Sequence, residues 1–142
     1  RVILLKIFWL SHSKCFIILT KGDKTMIHYM KLKKDPFEDI RSGEKIYELR
    51  LFDVKRKQIK VDDHIVFKKL EDQNERMEVI VKGLYHYKSF RDMFEEIPLE
   101  KCGFANISKD LAVEQMYTYY SVEDEQKNGV LAIEMERTDE FR

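Results

Sequence analysis

The 142-residue chain predicts one α+β domain of five or six strands with short helices between them. Three observations carry this reading. Arg76–Tyr87 and Val130–Glu136 alternate apolar and polar residues with the period of two that marks a half-buried strand. Ser89-x-x-Asp92 and Ser121-x-x-Asp124 are capping boxes, and Ser108 opens a segment whose Val113, Met116, Tyr117 and Tyr120 form one apolar stripe. Finally, the octet Gly43-Glu44-Lys45-Ile46-Tyr47-Glu48-Leu49-Arg50 sets a helix stop, a strand start and charges of both signs side by side.

Taken in order, residues 1–25 differ from the rest. Their two apolar runs, Ile3–Leu10 and Phe16–Leu19, are too short for a membrane helix, and no small-residue cleavage site follows them. Lys21-Gly22-Asp23-Lys24 fits a purine-rich coding stretch resembling a ribosome-binding site ahead of Met26. The expectation is therefore that residues 1–25 are translated leader or a mis-assigned start, with the domain at 26–142. The competing reading is a genuine amphipathic extension that touches a membrane.

Ile27–Lys33 reads as the domain's first strand. Asp35 is then the expected N-cap of a helix with Pro36 at its first position, Glu38 closing a capping box and Gly43 stopping it. In the octet strand that follows, Tyr47, Leu49 and Leu51 share one face, and Ile46, Glu48 and Arg50 the other. Lys45 has the opposite parity to Glu48, so it joins that face only from a bend before the strand becomes regular. Phe52–Lys60 is a hydrophilic loop in which Lys55 and Arg56 are candidate phosphate contacts. Lys60–Asp63 turns into the strand Ile65–Leu70, and the long strand Arg76–Tyr87 comes next. Its Tyr85 and Tyr87 share a face and are read as core aromatics rather than a base-stacking platform. Pro98 ends the helix capped by Ser89, and Gly129 stops the last one.

Lys+Arg and Asp+Glu balance at 26 each, so the whole-chain charge favours no partner. The distribution does. Residues 31–60 hold ten basic and six acidic side chains, and residues 91–142 hold six basic and thirteen acidic. That split suits a protein meeting a polyanion through one mouth, not one coated by nucleic acid along its length. Cys15 and Cys102 lack metal or disulfide spacing, and the four histidines lie far apart, so no metal site is expected and a reducing cytoplasm is the natural compartment. No glycine-rich phosphate loop or serine elbow is present, and no cofactor is expected.

G-x-K-x-x-E-x-R after a short amphipathic helix resembles the signature of the ASCH domains, relatives of the PUA-like RNA-binding barrels, and in particular small single-domain bacterial members. The flanks agree: Lys31-Leu32-Lys33 and Pro36-Phe37-x-x-Ile40 before it, Ile59–Phe67 after it, and Tyr119-Tyr120-Ser121 with Gly129–Glu134 at the end. Asp62 stands where members often carry glycine; aspartate tolerates the left-handed backbone, so the turn is expected to persist. The resemblance implies a small PUA-like β-barrel with flanking helices and a cleft lined by Lys45, Glu48 and Arg50. It implies binding of RNA or a nucleotide. The alternative is an amidohydrolase acting on acetylated cytidine, with Lys45 and Glu48 catalytic. There Glu48 replaces the family's threonine, and the later acid would be Glu95, Glu96 or Glu100.

Overall fold

The computed structural model describes residues 3–10, 13–20 and 24–138. The two early apolar runs form strands β1 (Ile3–Leu10) and β2 (Ser13–Thr20), paired antiparallel as a sheet of their own. The main body is built on five further strands: β3 (Ile27–Leu32), β4 (Tyr47–Leu51), β5 (His64–Lys69), β6 (Arg76–Tyr87) and β7 (Val130–Arg137). They hydrogen-bond in the order β3-β5-β6-β7-β4 and curl into a half-barrel; only β3 and β5 run parallel. The edges of the curled sheet are therefore β3 and β4.

Four helices complete the α+β body: α1 (Lys34–Ser42), α2 (Phe90–Glu96), α3 (Lys109–Met116) and α4 (Val122–Asn128). Alternation along β7 divides the core in two. Leu131, Ile133 and Met135 face the inside of the half-barrel with Phe37 and Ile40 of α1, Phe67 and Val79. Val130 and Ala132 face outward with Leu49 and Leu51 of β4, under Phe90 and Met93 of α2 and Ala112 and Val113 of α3. Burying side chains of this size stabilises by about 1.5–3 kcal/mol each, so both faces of β7 hold the fold.

The three serine caps form as the sequence requires. Ser89, Ser108 and Ser121 side chains accept from the backbone N–H of Asp92, Leu111 and Asp124 at 3.0, 3.1 and 3.0 Å. Gly43 closes α1 in the left-handed conformation with φ 89°, and Asp62 takes the same region at φ 76°.

Three local expectations need correction. Asp35 is not the N-cap of α1: the helix starts at Lys34, its Ncap Lys33 makes no side-chain cap, and Pro36 falls at the third position. The reason is tertiary. The Lys34 N–H donates to Glu71 Oε2 at 3.2 Å, and Glu38 bonds to Lys69 at 2.7 Å instead of closing a box. Helix α3 ends at Met116, so Tyr117 and Tyr120 complete the apolar stripe from the following turn. Tyr85 is no core residue. It is 39% exposed, with its hydroxyl donating to Glu134 at 2.8 Å, whereas Tyr87 packs on the outer core. Among the described residues no helix is long and apolar enough to cross a membrane.

Candidate functional site

Glu48 and Arg50 sit opposite Ile133 and Leu131 in the antiparallel β4–β7 pair, so their side chains turn to the inside of the half-barrel. Lys45 precedes the strand. Its N–H donates to the Asp39 carbonyl at 3.0 Å, in the bend after Gly43, and this frees it from the strand's alternation. Its ammonium reaches Glu48 Oε1 at 3.0 Å, while Arg50 Nε donates to Glu48 Oε2 at 2.7 Å. Arg50 Nη2 also donates to the Lys31 carbonyl at 3.2 Å. Lys31 is on β3 and Arg50 on β4, so this bond crosses the gap between the two sheet edges.

Glu48 is only 3% exposed. Burial by itself pushes its carboxyl up, but the charges and hydrogen bonds of Lys45 and Arg50 outweigh burial and hold it below the ordinary glutamate range. Arg50 shows the mirror image: burial opposes its charge, Glu48 outweighs it, and its affinity for the proton rises. Glu48 and Arg50 thus hold each other charged at the centre of the cluster.

The triad forms one wall of a cavity of about 360 Å³. Lys31 of β3, Lys33 just after it, and Asp35, Pro36 and Asp39 of α1 also line it. The rest of the lining is aromatic and sulfur-bearing: Cys102, Phe104, Met116, Tyr119 and Tyr120, with Gln115 among them. Gly103 turns the chain beside Lys45 at φ 89°; a Cβ there would stand 3.4 Å from Lys45 Cδ, an ordinary contact, so the left-handed backbone rather than space favours glycine. Burial pushes the Cys102 thiol up to about 12, Glu100 and Glu48 adding to the effect and Lys45 opposing it, so it remains protonated at neutral pH.

The other sequence candidates fall outside this cavity's lining. Lys55 is exposed, and Arg56 pairs with Asp53 at 3.0 Å in the loop after β4. Glu95 pairs with Lys109 at 3.1 Å, Glu96 accepts from the Tyr87 hydroxyl at 2.8 Å, and Glu100 is exposed. In the sequence, Lys31, Lys33, Tyr119 and Tyr120 carry no site signal of their own, and Asp35 has the pattern of a cap. No local pattern marks Asp39, Cys102 or Gln115 as neighbours of the triad. Among the described residues, no group of three or more His, Cys, Asp or Glu could hold a metal ion.

The ASCH domain family model matches residues 30–139. The chain belongs to the ASCH domain family. This is a PUA-like fold often associated with RNA binding. Solved structures agree with the assignment. Hypothetical protein PH0355, known from its crystal structure, is 37% identical with a TM-score of 0.72, over 80% of this chain and 100% of that one. Protein PF0455 from Pyrococcus furiosus is 33% identical with a TM-score of 0.64, over 80% and 99%. The ASCH crystal structure from Zymomonas mobilis, 12% identical with a TM-score of 0.53 over 78% and 66%, shares the fold. A search of curated proteins finds no match.

Proposed function

We propose that this ASCH domain is a nucleic-acid or nucleotide binding module, related to RNA, that takes its ligand in the cavity beside the Lys45–Glu48–Arg50 triad. The observation that carries the reading is the placement of a buried, ion-paired triad on the wall of a concave site with aromatic lining. Ligand sites are typically cavities of about 300–1,000 Å³ with a few convergent polar groups, and this one is of that kind. Aromatic side chains beside cations suit a base attached to phosphate. Lys45 keeps two ammonium protons beyond its bond to Glu48, and these are available to a ligand. Lys55 and Arg56, outside the cavity, would meet backbone phosphates of a strand longer than one unit.

Amide hydrolysis has less support. A general base must accept a proton, and both Glu48 oxygens already hold cations on a carboxyl of lowered pKa. Glu95, Glu96 and Glu100 do not line the cavity.

The test is a titration screen of nucleosides, nucleotides and short RNAs, followed by Gln115→Trp. Gln115 is exposed on α3 and lines the cavity, so an indole there fills the space without disturbing the core. Saturable binding that Gln115→Trp reduces at least about tenfold is expected, which corresponds to about 1.4 kcal/mol. Unchanged binding would place the ligand elsewhere. Acetylcytidine should release no acetate above buffer.

A further inference from the structure

The triad is largely satisfied within itself. Each Glu48 oxygen holds a cation, at 3.0 and 2.7 Å, and Arg50 spends a further donor on the Lys31 carbonyl. The side chains around the cavity that are not so engaged are different ones. Among the described residues, Lys31 and Lys33 have no carboxylate partner, and Asp35 and Asp39 no cationic one. These four are sorted in space. Lys31 of β3 alternates with Met30 and Leu32 of the inner core, so its exposed side chain leaves by the outer rim of the cavity, and Lys33, exposed just past the strand, shares that parity. Asp35 and Asp39 stand four apart on α1, hence on one face of the helix. The exposed ring of Tyr119 lies by Lys33, whose ammonium is 5.2 Å from its centroid.

We infer that the cavity binds one nucleoside monophosphate unit, its phosphate on Lys31 and Lys33 and an amine-bearing base edge on Asp35 and Asp39. The inference rests on the nucleotide reading above and adds who holds which end. A free carboxylate accepts from an exocyclic amine, as carboxylates do toward cytosine, and meets the carbonyl of a uracil or hypoxanthine with repulsion. A pair of unneutralised ammoniums is the chemistry of a phosphate clamp. Tyr119 offers the π-face on which the base or its neighbour stacks. A cavity of about 360 Å³, near the lower end of the ligand-site range, suits one unit and not a run of bases. The unit is either a free mononucleotide or the end of an RNA strand; both present the same groups.

Calorimetric titration of cytidine, CMP, UMP, AMP, IMP and the 5′-phosphorylated tetramer of cytidine tests this at two salt concentrations. Wild type should bind CMP and AMP roughly tenfold tighter than UMP and IMP, and CMP roughly tenfold tighter than cytidine. Lys31→Ala/Lys33→Ala should abolish the phosphate advantage and flatten the salt dependence, leaving cytidine unchanged. Asp35→Asn/Asp39→Asn should abolish the amine preference and keep the phosphate advantage. These side chains are exposed or half-buried, so both variants should melt like wild type. A tetramer binding tighter than CMP would identify the strand end as the source, and equal affinity the free mononucleotide; both support the single-unit site. A phosphate advantage or amine preference that survives its variant overturns the inference and leaves the nucleotide reading standing. Tetramer binding without CMP binding overturns the single-unit site alone. No binding of any probe overturns both.

Discussion

Glu48 stays ionised at 3% exposure because two cations hold it, and those cations in turn depend on its charge. Taking one member from a buried ionic cluster leaves the remainder uncompensated, at a cost of about 3–5 kcal/mol. Glu48→Gln should therefore destabilise the domain by about 3 kcal/mol at neutral pH, measured by denaturant unfolding. The pH dependence has a fixed sign. The folded carboxyl titrates below its unfolded value of about 4.3, so its contribution is complete above that value. It is lost as pH falls through the lower, folded value. The melting temperature of wild type should fall in acid below about pH 4.3, and that of Glu48→Gln should fall less steeply there. Parallel acid slopes for the two proteins would show that Glu48 is not held ionised by the fold. The octet announced this cluster, since its parity puts Glu48 and Arg50 on one face and the bend after Gly43 frees Lys45 to join them. The chain's own pattern could not announce that Arg50 reaches across to Lys31, because that contact arises from the curl of the sheet.

Glu125 shows the same division between local and distant causes, one level up. From the sequence it is one of three acidic residues in the first turn of a helix capped by Ser121, and nothing distinguishes it. In the fold it is buried, accepting from the Phe90 N–H at 2.8 Å and from the Tyr117 hydroxyl at 2.7 Å. One carboxylate thus joins α4, the start of α2 and the turn after α3, and it satisfies a backbone donor that Ser89 does not reach. Glu125→Ala leaves that donor buried and unmet, so it should cost about 1–3 kcal/mol of stability. Nucleotide binding by the variant should match wild type below its melting transition, because Glu125 does not line the cavity. A change below about 0.5 kcal/mol would mean that water replaces the carboxylate at no cost. The serine caps were legible because a cap is a local hydrogen bond between residues three apart. The start of α1 was not, since its first N–H is met by Glu71, 37 positions away. The exposure of Tyr85 was hidden for a similar reason: its partner Glu134 is 49 positions off in β7.

For the molecule as a whole, charge and topology coincide. The basic stretch 31–60 supplies all four cations of the cavity, Lys31, Lys33, Lys45 and Arg50, while the acidic stretch 91–142 supplies α3, α4, β7 and all of α2 but its first residue. The five strands of the half-barrel pair among themselves from Ile27 onward. The β1–β2 hairpin adds no strand to that sheet. We propose on this basis that residues 1–25 can be removed without loss of the fold. Met26, at the join, is held at both backbone groups: the His64 N–H donates to its carbonyl at 2.9 Å. The Met26 N–H donates to Asp63 Oδ1 at 3.1 Å, and Asp63 also bonds His28 at 2.8 Å and the Lys60 N–H at 2.9 Å. Burial raises the Asp63 carboxyl, and these donors outweigh it to keep the group ionised. A chain cut before Met26 retains the donor at that place, now as an ammonium facing a carboxylate, which strengthens the contact. The melting temperature of the 26–142 chain should then lie within about 3 °C of the full chain at neutral pH, a difference below about 1 kcal/mol. It should keep the same nucleotide affinity. A fall of about 10 °C or more would show that the hairpin packs on the domain and that residues 1–25 belong to the fold.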